Sequence, residues 1–151
     1  NPLPVTEFRF YNIVPEHNNA TNQIDAIING MSETIKKFED VGKRADALHR
    51  DLPAAYRQFF HNNLRSQAHF MTEISRSLLY LVEAYKSKTN NKEIALEYID
   101  KSLAAAISAR NHLYSNQKGV FVNWYAGDGV GGMFNVPDII SRIEKVKKQL
   151  Q

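Results

Sequence analysis

From residue 24 onward the apolar side chains fall three and four positions apart. Ile24, Ile28, Met31, Ile35 and Phe38 begin this pattern, and it continues more weakly through Ala45 and Leu48. Such spacing puts one apolar face of a helix against a core. Thr21 or Asn22 is expected to cap its start, because a short polar side chain accepts from the free amides of a first turn. Gly30 and Gly42 lie inside the span. Each is less favourable than alanine by about 1 kcal/mol, so a bend or break is expected near Gly42.

A second stripe follows, with Asp51 as the expected cap and Pro53 in the first turn. Phe60, Leu64, Gln67, Met71, Ile74, Leu78, Leu81 and Tyr85 keep a repeat of about 3.5 residues. It predicts a helix from Leu52 to Lys86, about 50 Å long at 1.5 Å per residue. The turn from Ser87 to Asn91 offers Asn91 as the next cap, and Ala95, Ile99, Leu103, Ala106, Arg110 and Leu113 form a third stripe ending near Asn116. The small residues Ala104, Ala105 and Ala106 suit a closely approaching neighbour. Asn135 and Pro137 start a shorter helix carrying Ile139, Ile140, Ile143, Val146 and Leu150, with Lys145, Lys147 and Lys148 near the negative pole of its dipole.

Before these helices, Thr6, Phe8, Phe10, Tyr11 and Ile13 are β-branched or aromatic and close at Pro15, which reads as extended chain. Short connections between long helices imply antiparallel neighbours. The expected fold is therefore all-α: an antiparallel bundle of three long helices plus a short C-terminal helix, with an extended N-terminal segment over 1–18 and the bundle over 19–151. The first residue is Asn1 rather than methionine, and a chain cut from something longer is expected.

With 151 residues the chain has the size of one domain, able to bury roughly 70% of its unfolded surface. No cysteine is present, which excludes disulfides, thiolate metal sites and a cysteine nucleophile and leaves the compartment open. A net charge of +3, read as spread along the chain, argues against a nucleic-acid partner. No apolar run approaches the roughly 20 residues that span a bilayer.

Bundle-building leaves one stretch unexplained, from Lys118 to Asn135. It holds the only tryptophan and five of the seven glycines. Long irregular loops in compact domains are often functional, and the aromatic density here argues against disorder. Phe121, Trp124 and Tyr125, beside Asn123 and Asp128, are suited to stack on a sugar face or a partner while the polar groups take hydrogen bonds. Phe121, Trp124 and Phe134 are equally suited to closing the end of the bundle as ordinary core. Arg110 occupies an apolar-stripe position near this loop, with Asp128 as a candidate counter-charge and snorkelling to solvent as the alternative.

Sharper chemistries fail on context. The run Gly127, Gly129, Gly131, Gly132 does not lead from a strand into a helix and lacks the Lys-Ser/Thr of a phosphate cradle. Asp128 with Asn123 and Asn135 is too few oxygen donors for calcium. No Glu-x-x-His spacing supports a di-iron bundle. Ser66, His69 and Glu73 share a helical face and read as a solvated stripe, and His49, His61 and His112 have no metal-like partner close in sequence. No cofactor or metal is expected.

Long helices followed by this aromatic segment resemble the helical C-terminal region of large α-glucuronidase-like glycoside hydrolases. Where that family has Gly-Lys-Trp followed by paired methionines, this chain has Lys118-Gly119, then Asn123-Trp124-Tyr125 and a single Met133. The likeness covers about a third of the chain, and no catalytic residue carries over. It implies a non-catalytic accessory or interface domain of a larger carbohydrate-active protein, with a neighbouring domain and a carbohydrate as partners and a periplasmic or extracellular location. A free-standing helical interaction module, which would be cytoplasmic, is the alternative.

Overall fold

A computed structural model describes residues 20–116 and 135–151, with only the backbone given for 20–22. The predicted extended segment over 1–18 and the loop residues Phe121, Asn123, Trp124, Tyr125 and Asp128 lie outside the described residues. Among the described residues the chain is all-helical. Helix α1 spans Ala20–Asp51 and α2 spans Ala54–Phe60; a π-turn over His61–Arg65 leads into α3, Ser66–Ser87; α4 spans Lys92–Tyr114 and α5 spans Val136–Leu150.

Local chemistry accounts for most boundaries. Asn91 accepts from the Ile94 amide at 3.1 Å, and Asn135 accepts from the Asp138 amide at 3.3 Å, so both predicted caps form. Three expectations change. Helix α1 already starts at Ala20, so Thr21 and Asn22 are first-turn residues rather than caps. It also runs unbroken through Gly42. Asp51 ends α1 instead of capping the next helix, and Pro53 stands before α2 with no side-chain cap. In place of a cap, Arg57 Nε donates to the Leu52 carbonyl at 2.8 Å and Nη2 to the Arg50 carbonyl at 3.0 Å, satisfying the open end of α1.

Side-chain pairs fix the antiparallel registers. Lys86 meets Asp25 at 2.6 Å, Arg76 meets Glu39 at 2.5 Å and Arg65 meets Asp46 at 2.7 Å, running α1 down one side of α3. On its other side Ser77 Oγ lies 3.1 Å from Ser102 Oγ, and Asn116 donates to Ser66, pairing α3 with α4. Lys147 reaches Asp100 at 2.5 Å and sets α5 against α4. The core gathers Phe70 and Ile74 of α3, Ile99, Ala106, Ala109 and Leu113 of α4, and Val136, Ile139, Ile140 and Ile143 of α5. Helix α1 adds only Ile24, Ile35 and Ala45 as buried apolar side chains. It is attached largely through its polar ladder.

The buried face of α3 shares Ile74 with the predicted stripe, and Met71 and Leu81 pack against the core beside it, but elsewhere the fully buried positions are neighbours of the predicted ones. Ser66, Phe70, Ile74, Ser77 and Ala84 are buried, whereas Gln67, Met71, Leu78 and Tyr85 are half-buried and Leu64 is exposed. The α3–α4 seam is built from small residues. Ser102 donates to the Ser77 carbonyl at 2.8 Å, and Ala105, Ala106 and Ala109 continue the seam. Small side chains let two helix axes approach, and their hydroxyls are satisfied internally. Of the predicted alanines, Ala105 and Ala106 serve this role and Ala104 is exposed. No helix among the described residues is long and apolar enough to cross a membrane.

Candidate functional site

The registers leave one end of the bundle uneven. Ser115, just past α4, lies against His61, with Nε2 3.0 Å from Oγ. Helix α2 and the last turn of α1 therefore project beyond α4 as a two-helix tip, the seven residues of α2 spanning about 10 Å. No residue of α2 is buried. Tyr56 is 62% exposed and Phe59 72%, with Leu48 of α1 and Leu64 of the π-turn also exposed. An isolated helix of this length is not stable in water. It persists as the continuation of α3 and through the Arg57 bonds to α1.

At the base of the tip the fold assembles a polar joint from four histidines that are scattered in the sequence. Asp46 accepts from Arg65 Nε at 2.7 Å and pairs with His69 Nε2 at 2.8 Å. Burial alone would raise the Asp46 carboxyl, but the hydrogen bonds from His69 and Arg65 outweigh it and hold the group below the ordinary carboxylate value. Ser115 Oγ donates to the His112 carbonyl at 2.7 Å, which leaves its lone pairs for His61 Nε2–H. His61 Nδ1 then accepts from Arg65 Nη1 at 3.4 Å. His49 lies edge-on to His61, centroids 6.2 Å apart.

His112 stacks on His69 with centroids 5.1 Å apart and planes 20° from parallel. Burial lowers the His112 pKa, and the neighbouring His69 charge lowers it further. Gly42 makes room for this pair, since a Cβ there would sit 3.3 Å from His69 Cε1. π-Turns concentrate at functional sites, and this one carries both His61 and Arg65 into the joint.

Arg110 is half-buried, with its guanidinium 5.9 Å from the Tyr114 ring centroid. Its Nε and the Oδ1 of Asn116 are buried without a hydrogen-bond partner. The predicted counter-charge, Asp128, lies outside the described residues. Ser66, His69 and Glu73 do not form the solvated stripe expected of them. Ser66 is fully buried against Asn116, His69 turns to Asp46, and Glu73 pairs with Arg76. That division keeps His69 from acting as a base on Ser66. Among the described residues no group of three histidines, cysteines or carboxylates is placed to hold a metal ion.

A groove of about 610 Å³ separates α1 from α4 across α3, lined by Ser32, Ile35, Glu39, Arg76, Tyr80 and Lys101 among others.

Comparison with protein-family models, curated proteins and solved structures returned no match. The joint went unnoticed in the sequence because its members are far apart: His61 and Ser115 are separated by 54 positions. One local signal was present. His61, Arg65 and His69 recur every fourth residue and so form one polar line along the helix.

Proposed function

We propose that this chain is a non-catalytic helical interaction domain whose projecting two-helix tip docks on a neighbouring domain of a larger protein. The observation that carries this reading is α2, a helix with no buried residue that displays Tyr56 and Phe59. Exposed aromatic anchors on a rigid element are the residues that dominate protein interfaces once desolvated. Charge describes the partner. Lys43, Arg44, Arg50, Arg57 and Arg65 stand against Asp40, Asp46 and Asp51 in residues 40–65, so the tip and its base together carry a net charge of +2. The surface it meets is acidic with an apolar centre. Arg44, Arg57 and Arg65 are already bonded to Asp40, backbone carbonyls and Asp46, which leaves few cations for phosphates and favours a protein partner. The resemblance over 118–135 supports a carbohydrate-active parent in which Asn123, Trp124, Tyr125 and Asp128 meet a sugar or a domain boundary.

Hydrogen exchange of residues 47–65 in the whole gene product, compared with the chain alone, tests the docking. Protection in the whole product that disappears in Tyr56→Ser/Phe59→Ser is expected. Equal exchange in both forms overturns the reading, and a reading frame coding for nothing beyond this chain replaces it with the free-standing module. Unchanged Trp124 fluorescence on adding xylan-type oligosaccharides sinks the sugar contact alone.

A further inference from the structure

Two imidazoles stacked face to face are compatible with one positive charge and resist two. His69 has a carboxylate for its proton, bonded to Asp46 at 2.8 Å. Its stacking partner His112 has no such bond. Among the described residues, the charged groups facing His112 are His69 and Glu73 on α3, Arg65 on the π-turn and Asp46 on α1. Both carboxylates are already committed, Asp46 to Arg65 and His69, and Glu73 to Arg76. A proton on His112 therefore meets two committed anions and, at close range, the His69 ring and the Arg65 guanidinium. Helix α1 packs beside this pair, since a Cβ at Gly42 would stand 3.3 Å from His69 Cε1. Separating the rings moves the last turn of α4 away from α3.

We propose that the His69–His112 stack is a pH-sensitive latch, closed when it holds at most one proton and opened when acidification charges both rings, freeing the end of α4 from α3 at the base of the tip. The latch does not depend on what the tip docks against. The direction follows from linkage. His112 in the folded chain binds its proton less readily than in the unfolded chain, so the unfolded state takes up more protons and stability falls as pH drops below the ordinary histidine value of about 6.5. The loss ends once pH passes below the depressed folded value. Acid-range loss from Asp46 begins only near pH 4 and is a separate step.

Two measurements test the latch on the intact chain. The first follows the urea midpoint between pH 7.5 and 5. The wild type should lose midpoint steadily below about pH 6.5, and His112→Gln should lose much less of it over the same range. Equal loss in both overturns the proposal. The second needs no variant and stands if His112→Gln fails to fold. Proton NMR titration of the His112 ring Hε1 signal should show it charging below the ordinary histidine value. Exchange at 109–116, corrected for its intrinsic pH dependence, should rise as His112 charges. A His112 that titrates at or above the ordinary value, or charges without any rise in exchange, also overturns it.

Discussion

Gly42→Ala and Gly30→Ala make the same chemical change in the same helix and are expected to have opposite outcomes. Both glycines are interior to α1, where alanine is favoured by about 0.8–1 kcal/mol. At Gly30 a new methyl meets nothing within 4 Å, so that gain should be realised in full. For a chain of 151 residues it corresponds to a rise in melting temperature of about 3 °C. At Gly42 the methyl would stand 3.3 Å from His69 Cε1 and 3.4 Å from Nδ1, too close for an unmoved ring. His69 cannot yield freely, because Asp46 holds its far nitrogen and His112 covers its face. Forcing it off-rotamer costs about 0.5–1.5 kcal/mol, and weakening its bond to a charged acceptor a further 1 kcal/mol or so. The propensity gain is exceeded, and the two variants should differ by about 1.5–2.5 kcal/mol. Urea unfolding followed by circular dichroism at 222 nm, at pH 7.5, reads the difference directly. If Gly42→Ala stabilises as much as Gly30→Ala, the ring is not pinned and the close approach has no energetic meaning.

Ile99→Ala should destabilise by about 2–5 kcal/mol, the usual range for a buried aliphatic cavity, because Ile99 is 2% exposed at the centre of the core. Leu78→Ala, on the half-buried flank of α3, should cost clearly less in the same urea assay. Equal costs would restore the stripe expected from the sequence. Asp46→Asn should flatten the acid limb of the stability curve. The folded-state carboxyl is held below its ordinary value, so its contribution is present above about pH 4 and disappears as the pH falls further. A wild-type curve between pH 5 and 2.5 that is matched by the variant would remove Asp46 from that limb.

Periodicity located α1, α4 and α5 and read α2, the π-turn and α3 as one continuous helix, because caps such as Asn91 and Asn135 and the 3.6-residue repeat are local properties. It misplaced the buried side of α3 for a physical reason. The closest contacts of that helix are made by Ser66, Ser77 and Ala84, which score as polar or small, while larger apolar neighbours at 67–85 straddle the seam. Gly42 misled in a similar way. Its propensity alone suggests a break, and its role is visible only once His69 is seen against it. The tip was illegible because exposure of Tyr56 and Phe59 depends on where α4 stops relative to α3, a matter of register between strangers in sequence. Of the residues picked for function, Arg110 alone can be placed, and it is half-buried over Tyr114.

The contrast between the two sides of α3 has a consequence for how the molecule comes apart. Toward α4 the contact is built from buried small residues hydrogen-bonded to one another; toward α1 a line of ion pairs flanks the buried Ile24, Ile35 and Ala45, Lys86–Asp25 among the most open of them. Dissolved ions screen exposed pairs but not small-residue contacts. Raising ionic strength should thus loosen α1 selectively, and its amides should exchange through an opening that leaves α3, α4 and α5 assembled. The polypeptide then behaves as a three-helix nucleus carrying a detachable first helix, with the projecting tip as the pivot between them.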